Sequence, residues 1–248
     1  MAYSRNIRQR IWERLKDVAR PDARFHLKFS EFIPDFEGVE AATDRLLALE
    51  GFAKANLVFV TPDNSMIELR RRLIKSGTPF IMPTYGMQRG FLLLQPGSVP
   101  PGGLEKAAAW LDGMEHFGRA VSLEDLTHIG RFDVVATGAS AVSIDGVRFG
   151  KGHAFFDLEW GGMFTDLGGL ADEQSLIVAA VHDVQIVEER LNVSESDIAL
   201  DFIATPSRLI EITRNRRRPR GVRWNEVSAE EIQSIPPLRE LARIRGIA

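Results

Sequence analysis

Apolar residues recur at helical spacing in the first twenty positions: Ile7, Ile11, Leu15 and Val18 share one face, and arginines occupy the others. The pattern predicts an opening helix that Pro21 stops. A second helix is expected after Ile33-Pro34-Asp35, with Asp35 as its N-cap and Val39, Ala42, Leu46 and Leu49 turned inward. Leu57-Val58-Phe59-Val60 reads as a short strand closed by Thr61-Pro62-Asp63-Asn64. A helix then runs from about Ser65 to Ser76, with Gly77 in the C′ position. Thr78 to Met82 and Phe91 to Leu94 predict two further strands. Gln95 to Gly103 carries three prolines and three glycines and reads as a loop, and Leu104 to Met114 as a helix. Asp133 to Thr137, Leu176 to Val181 and Leu200 to Ala204 are continuous apolar runs bounded by turn signals, as strands buried on both faces should be. Strands alternating with helices imply βαβ units, hence an α/β protein whose mostly parallel sheet lies between helix layers. Trp12, Trp110 and Trp160 read as core or near-core residues.

Composition narrows the class. The chain has 248 residues, 44% hydrophobic and 26% charged, which excludes disorder as the main state and allows a sizeable core. There is no cysteine, so a disulfide scaffold, a thiolate zinc site and a cysteine nucleophile are all excluded. The longest apolar stretch, Leu176 to Val181, is far short of the ~20 residues that span a bilayer. The first residues lack the apolar region of a secretory signal. A cytoplasmic location is the expectation.

Chemistry concentrates in the loops after the buried strands, where open α/β sheets gather ligands. Gly138-Ala139-Ser140 invites comparison with a nucleophile elbow, but Val142 stands where that motif needs glycine, so a strand start is the better reading. Asp145-Gly146 signals a hairpin between Val142-Ser143-Ile144 and Val147-Arg148-Phe149. Directly beyond it come Arg148, Gly150, Lys151 and Gly152, then Phe155, Phe156 and Asp157. Glycines let backbone N–H groups approach a ligand, two cations complement polyphosphate, and a carboxylate nearby can hold magnesium. The same residues also suit a tight hairpin whose glycines only turn the chain.

The run R-F-G-K-G-H-A-F-F-D-L-E-W resembles the R-[L/I]-G-[K/Y/R]-G-x-G-Y-[Y/A]-D signature of the 5-formyltetrahydrofolate cyclo-ligase family. Ile33-Pro34-Asp35-Phe36, Val181-His182-Asp183-Val184-Gln185 and Pro219-Arg220-Gly221-Val222-Arg223-Trp224 extend the likeness along most of the chain. They match a paralogous branch with I-P-x-F, V-H-D-x-Q and P-x-G-[I/V]-x-W segments. The resemblance implies a three-layer α/β/α fold of the NagB/RpiA/CoA-transferase type. It implies an ATP- and magnesium-dependent conversion of 5-formyltetrahydrofolate to 5,10-methenyltetrahydrofolate, or action on a related folate or heterocycle. Carried over by position, Arg148 and Lys151 would be catalytic, and Arg8, Arg148, Gly150, Lys151 and Gly152 would hold the nucleotide. Asp157 and Asp197 would bind Mg2+, and Phe155 and Phe156 would flank the folate substrate. Asp201 matches a further family aspartate without an assigned role. The sequence departs from the family at Ser4, where the amino-terminal motif has lysine, at His153, and at Ala154, where the loop has its third glycine.

Two other readings compete. His153, Asp157, His182 and Asp183 are a candidate metal-hydrolase set. Arg214, Arg216, Arg217, Arg218, Arg220 and Arg223 put six arginines into ten residues with no acid among them, a candidate basic patch for RNA phosphates. Without those six the balance is 25 basic residues against 34 acidic, so charge is strongly segregated. The expected organisation is a domain over 1–213 and an Arg-rich carboxyl-terminal extension over 214–248.

Overall fold

A computed structural model describes residues 2–150, 156, 158–167, 169–189 and 197–247. Its centre is an eight-stranded sheet of β1 (Val58–Val60), β2 (Phe80–Pro83), β3 (Phe91–Leu94), β4 (Arg119–Val121), β5 (Val134–Thr137), β8 (Leu176–Ala180), β10 (Phe202–Ala204) and β11 (Leu209–Glu211). The spatial order is β11-β10-β8-β5-β1-β2-β3-β4. The four central pairings, from β10 through β8, β5 and β1 to β2, are parallel, and the outer ones are antiparallel.

Alternation along the central strands divides the core. Phe59, Val135, Ile177 and Ile203 face one layer, whereas Val58, Val60, Val134, Ala136, Val178 and Ala204 face the other. All are buried, because helices cover both sides. On the second face lie α2 (Val39–Leu47), α4 (Ile67–Ser76) and α6 (Leu111–Phe117), contributing Leu46, Leu73 and Met114. On the first face lie α7 (Leu123–Ile129) and α9 (Pro236–Ile244), whose Leu126, Leu238 and Leu241 are fully buried. Glu240 ties these two helices by accepting the free amides of Leu123 and Glu124 at 3.1 and 3.2 Å.

A second, three-stranded sheet of order β7-β6-β9 holds the hairpin anticipated at Asp145-Gly146. Here β6 (Ala141–Ser143) pairs antiparallel with β7 (Arg148–Phe149) and parallel with β9 (Ile186–Val187). The apolar stripe of α1 (Ala2–Leu15) seats on this small sheet: Ile7, Ile11 and Leu15 pack with Ala141, Val147, Phe149 and Val187.

Several local expectations need correction. The first helix ends at Leu15, before Pro21, because an antiparallel bridge of Ala19 with Phe36 claims the following backbone. Asp35 does not cap α2: its carboxylate is engaged by Arg20 at 2.9 Å and by the Phe36 amide at 2.8 Å. The N-cap is Gly38, at φ 78°, and a Cβ there would also stand 2.8 Å from Pro206. Asn64–Met66 form a 3₁₀ turn before α4, and Gly77 adopts the expected left-handed C-cap. The helix expected over 104–114 breaks into α5 (Glu105–Ala109) and α6 at Trp110, whose backbone is extended. Among the described residues, no helix is long and apolar enough to cross a membrane.

Candidate active site

The parallel strands β1, β5, β8 and β10 end on one side of the sheet, and side chains staple their following loops together. Asp183 accepts from Thr205 Oγ1 at 2.7 Å, joining the β8 and β10 loops. Gln185, fully buried, donates Nε2 to the Ala139 carbonyl at 2.5 Å and accepts the His182 amide at 2.7 Å. Asp63 Oδ2 accepts from Thr61 Oγ1 at 2.6 Å and from the Gly138 amide at 3.1 Å. Beneath the β1 loop lies Arg70, fully buried, donating to the carbonyls of Thr61, Asp63 and Ala109 at 2.6, 3.1 and 2.7 Å. Burial pulls its pKa down to about 9, still charged at neutral pH.

Arg148 extends from β7 to the strap formed by residues 138–140, which follows β5 and is held by Asp63 and Gln185. Its Nε donates to the Gly138 carbonyl at 3.3 Å, and its guanidinium lies 4.4 Å from the ring centroid of Phe156. Arg148 is only 8% exposed and Phe156 only 4%, so the cation rests on an aromatic face with little water around it. Arg8 reaches the same place from α1. One residue beyond the buried Ile7, it turns about 100° around the helix from that stripe, donates Nε to the Gly150 carbonyl at 2.8 Å, and stacks 5.2 Å over Phe149. Desolvation lowers the Arg8 pKa, and the charge of Arg148 lowers it further.

Four sequence-nominated residues are therefore brought together: Arg8, Arg148, Gly150 and Phe156. Asp197 is half-buried, and an antiparallel bridge of Val147 with Ala199 runs it toward the Phe149–Gly150 end of β7. Lys151, Gly152, His153, Ala154, Phe155 and Asp157 lie outside the described residues, as does the side chain of Ser4. Asp63 and Gln185 escaped the sequence reading as contributors. The available signal was position, since Thr61-Pro62-Asp63 closes β1 and V-H-D-x-Q closes β8 at the end where β5 meets Arg148.

Among the described residues no three His, Asp or Glu side chains gather as a metal site. His182 instead accepts the Val184 amide on Nδ1 at 3.2 Å and sets its ring edge-on to Phe36.

The profile of the 5-formyltetrahydrofolate cyclo-ligase family matches residues 1–206. The chain belongs to that family. Human and mouse methenyltetrahydrofolate synthase domain-containing proteins are each 32% identical to it, over 246 and 243 residues. Both alignments cover 95% of this chain, and the chain spans about 60% of the length of the human relative and 62% of the mouse one. In fold, this cyclo-ligase family member resembles the 5,10-methenyltetrahydrofolate synthetase of Aquifex aeolicus. The TM-score is 0.51 at 17% identity, covering 85% of this chain and 93% of that one.

Asp201, which the resemblance matches to a family aspartate without an assigned role, is held by hydrogen bonds and ion pairs. It accepts the Ile177 amide at 2.8 Å, pairs with Arg214 Nε at 2.9 Å, and pairs with the fully buried guanidinium of Arg218. Glu173 takes a second nitrogen of Arg214 at 2.6 Å, and Glu226 takes Arg223 at 2.7 Å. Among the described residues, Arg214, Arg218 and Arg223 are thus paired with the chain's own acids.

Proposed function

We propose that the chain closes the ring of a reduced folate, converting 5-formyltetrahydrofolate to 5,10-methenyltetrahydrofolate with ATP and magnesium. The observation that carries this reading is the meeting of Arg8 and Arg148 at Gly150. Arg8 donates to the Gly150 carbonyl while Arg148, bonded to the Gly138 carbonyl, stands beside the same glycine, and this pair of neighbouring guanidinium groups suits the charge of a polyphosphate. Family membership supplies the substrate class.

ATP would transfer a phosphoryl group to the formyl oxygen, leaving ADP, so that N10 attacks the formyl carbon and that oxygen departs as phosphate. A magnesium ion, if held, would offset the charge of the transferring group. The chain's residues provide the rest. Arg148, fixed by Gly138 and Phe156, and Lys151 stabilise charge on the transferring phosphoryl group. Arg8 and the backbone at Gly150 and Gly152 hold the nucleotide. Asp157 and Asp197 are assigned to magnesium, and Phe155 and Phe156 to the pterin pocket. Low exposure around Arg148 strengthens its own charge interactions relative to water. A cytoplasmic location completes the reading.

The test is absorbance of methenyltetrahydrofolate formed from 5-formyltetrahydrofolate by pure protein, with and without ATP and magnesium. Formation dependent on both supports the assignment, and no product under any condition overturns it.

A further inference from the structure

Gly138 is held on both sides. Its amide donates to Asp63 Oδ2 at 3.1 Å, and its carbonyl, in the next peptide group, accepts Arg148 Nε at 3.3 Å. Asp63 itself is set by a rigid base, since Arg70 is fully buried and grips the carbonyls of Thr61 and Asp63. Close packing leaves Gly138 little room: a Cβ would stand 2.5 Å from Ser65 Oγ, 2.9 Å from Ile33 Cγ2 and 3.1 Å from Asp63 Cβ.

We infer that Asp63 is a positioning residue for Arg148, acting through the Gly138 backbone. Asp63 belongs to the β1 loop and Arg148 to the second sheet, so this short relay aligns the cation with the main sheet. Without the carboxylate, the amide of Gly138 loses its partner, and its carbonyl, which Thr137 Oγ1 also reaches at 3.1 Å, is held less firmly in the direction that Arg148 needs. The Arg148 guanidinium that this carbonyl orients then moves with it. A shift of about 1 Å in a charge-stabilising group is enough to cost about 10²-fold in rate. The inference rests on the role given above to Arg148 but has its own readout.

Asp63→Ala, Asp63→Asn, Arg148→Ala and the Asp63→Ala/Arg148→Ala double variant are compared in the full chain. Asparagine keeps an oxygen able to accept the Gly138 amide. Asp63→Ala is expected to lower kcat about 10- to 100-fold with KM for the folate within about twofold, and Asp63→Asn to stay within about threefold of wild type. The double variant should match Arg148→Ala alone; losses that multiply would overturn the inference. The Nε–H resonance of Arg148 in ¹⁵N-labelled protein is the independent readout. It should persist in wild type and Asp63→Asn and collapse toward the free-arginine position in Asp63→Ala. An unchanged resonance in Asp63→Ala overturns the inference. If Asp63→Ala does not fold, Asp63→Ser, too short to reach the amide, carries the same comparison. A wild-type protein without turnover removes the cyclo-ligase reading, and the resonance then decides the positioning role by itself.

Discussion

Arg8 is held against Arg148: it donates to the Gly150 carbonyl at 2.8 Å, and a Cβ on Gly150 would lie 3.2 Å from Arg148 Nη2. The two arginines are set into this corner by different means, one by a helix stripe seated on the small sheet and one by the Gly138 strap. They should therefore separate kinetically. Arg8→Ala is expected to weaken Mg-ATP binding by roughly 10- to 100-fold, the loss of one hydrogen bond from a charged donor, with a smaller effect on kcat. Arg148→Ala is expected to lower kcat by about 10²-fold or more. Titration calorimetry and steady-state assays together check both. Equal effects of the two variants on kcat would contradict the division of labour.

The crowding at Gly138 gives a stability test. Gly138→Ala forces a methyl against Ser65, Ile33 and Asp63 and should cost about 1–3 kcal/mol, read from urea unfolding. Ser65 Oγ is buried without a hydrogen-bond partner among the described residues, so Ser65→Ala should be neutral or stabilising. In the Ser65→Ala background the cost of Gly138→Ala should fall, because the closest clashing atom has gone.

Much of the fold was legible because its central strands bury both faces. Runs such as Val134–Thr137 and Leu176–Ala180 carry their own signal. The edge strands do not: β4 and β11 expose residues on at least one side, and three residues each are too few to show an alternation. The helices α7 and α8 (Ala229–Ser234) do carry a local signal. Ser122 with Asp125, and Ser228 with Glu231, form reciprocal capping boxes. At the site, Arg148 and Arg8 were visible through motif resemblance. Asp63 was not, because its partner Gly138 is 75 residues away and no local pattern announces a tertiary hydrogen bond.

The pairing of Asp201 with Arg214 and Arg218 sets a third expectation. Asp201→Ala removes a carboxylate that pairs with the fully buried Arg218 side chain and should cost about 3 kcal/mol. For a chain of this size that is a fall in Tm of roughly 6–12 °C. Limited proteolysis should then cut first within residues 214–224. A variant as stable and as resistant as wild type would show that these ion pairs do not fasten the segment.

His182 supplies a pH test. Burial holds its pKa below the ordinary 6.5, with Arg14 lowering it further against the opposing pull of Asp183 and Glu37. A depressed folded-state value means the unfolded chain binds the proton more readily. The stability involved is therefore complete above pH 6.5 and is lost as pH falls through the lower folded value. Protonation at Nδ1 would also end its acceptance of the Val184 amide. Urea midpoints measured from pH 7.5 to 5 should decline more steeply for wild type than for His182→Asn, whose amide oxygen still accepts but does not titrate. Parallel profiles would exclude His182 as the source.

The seating of α9 carries the packed core beyond the stretch that the family profile matches. The family profile stops at residue 206, yet Ile235, Leu238 and Leu241 share a core with Phe59, Phe91 and Leu126, and Glu240 finishes the start of α7. A polypeptide trimmed to the profile would uncover a greasy flank on α7 and strip two amides of their acceptor. Such a fragment should aggregate during expression even with Arg8 and Arg148 intact.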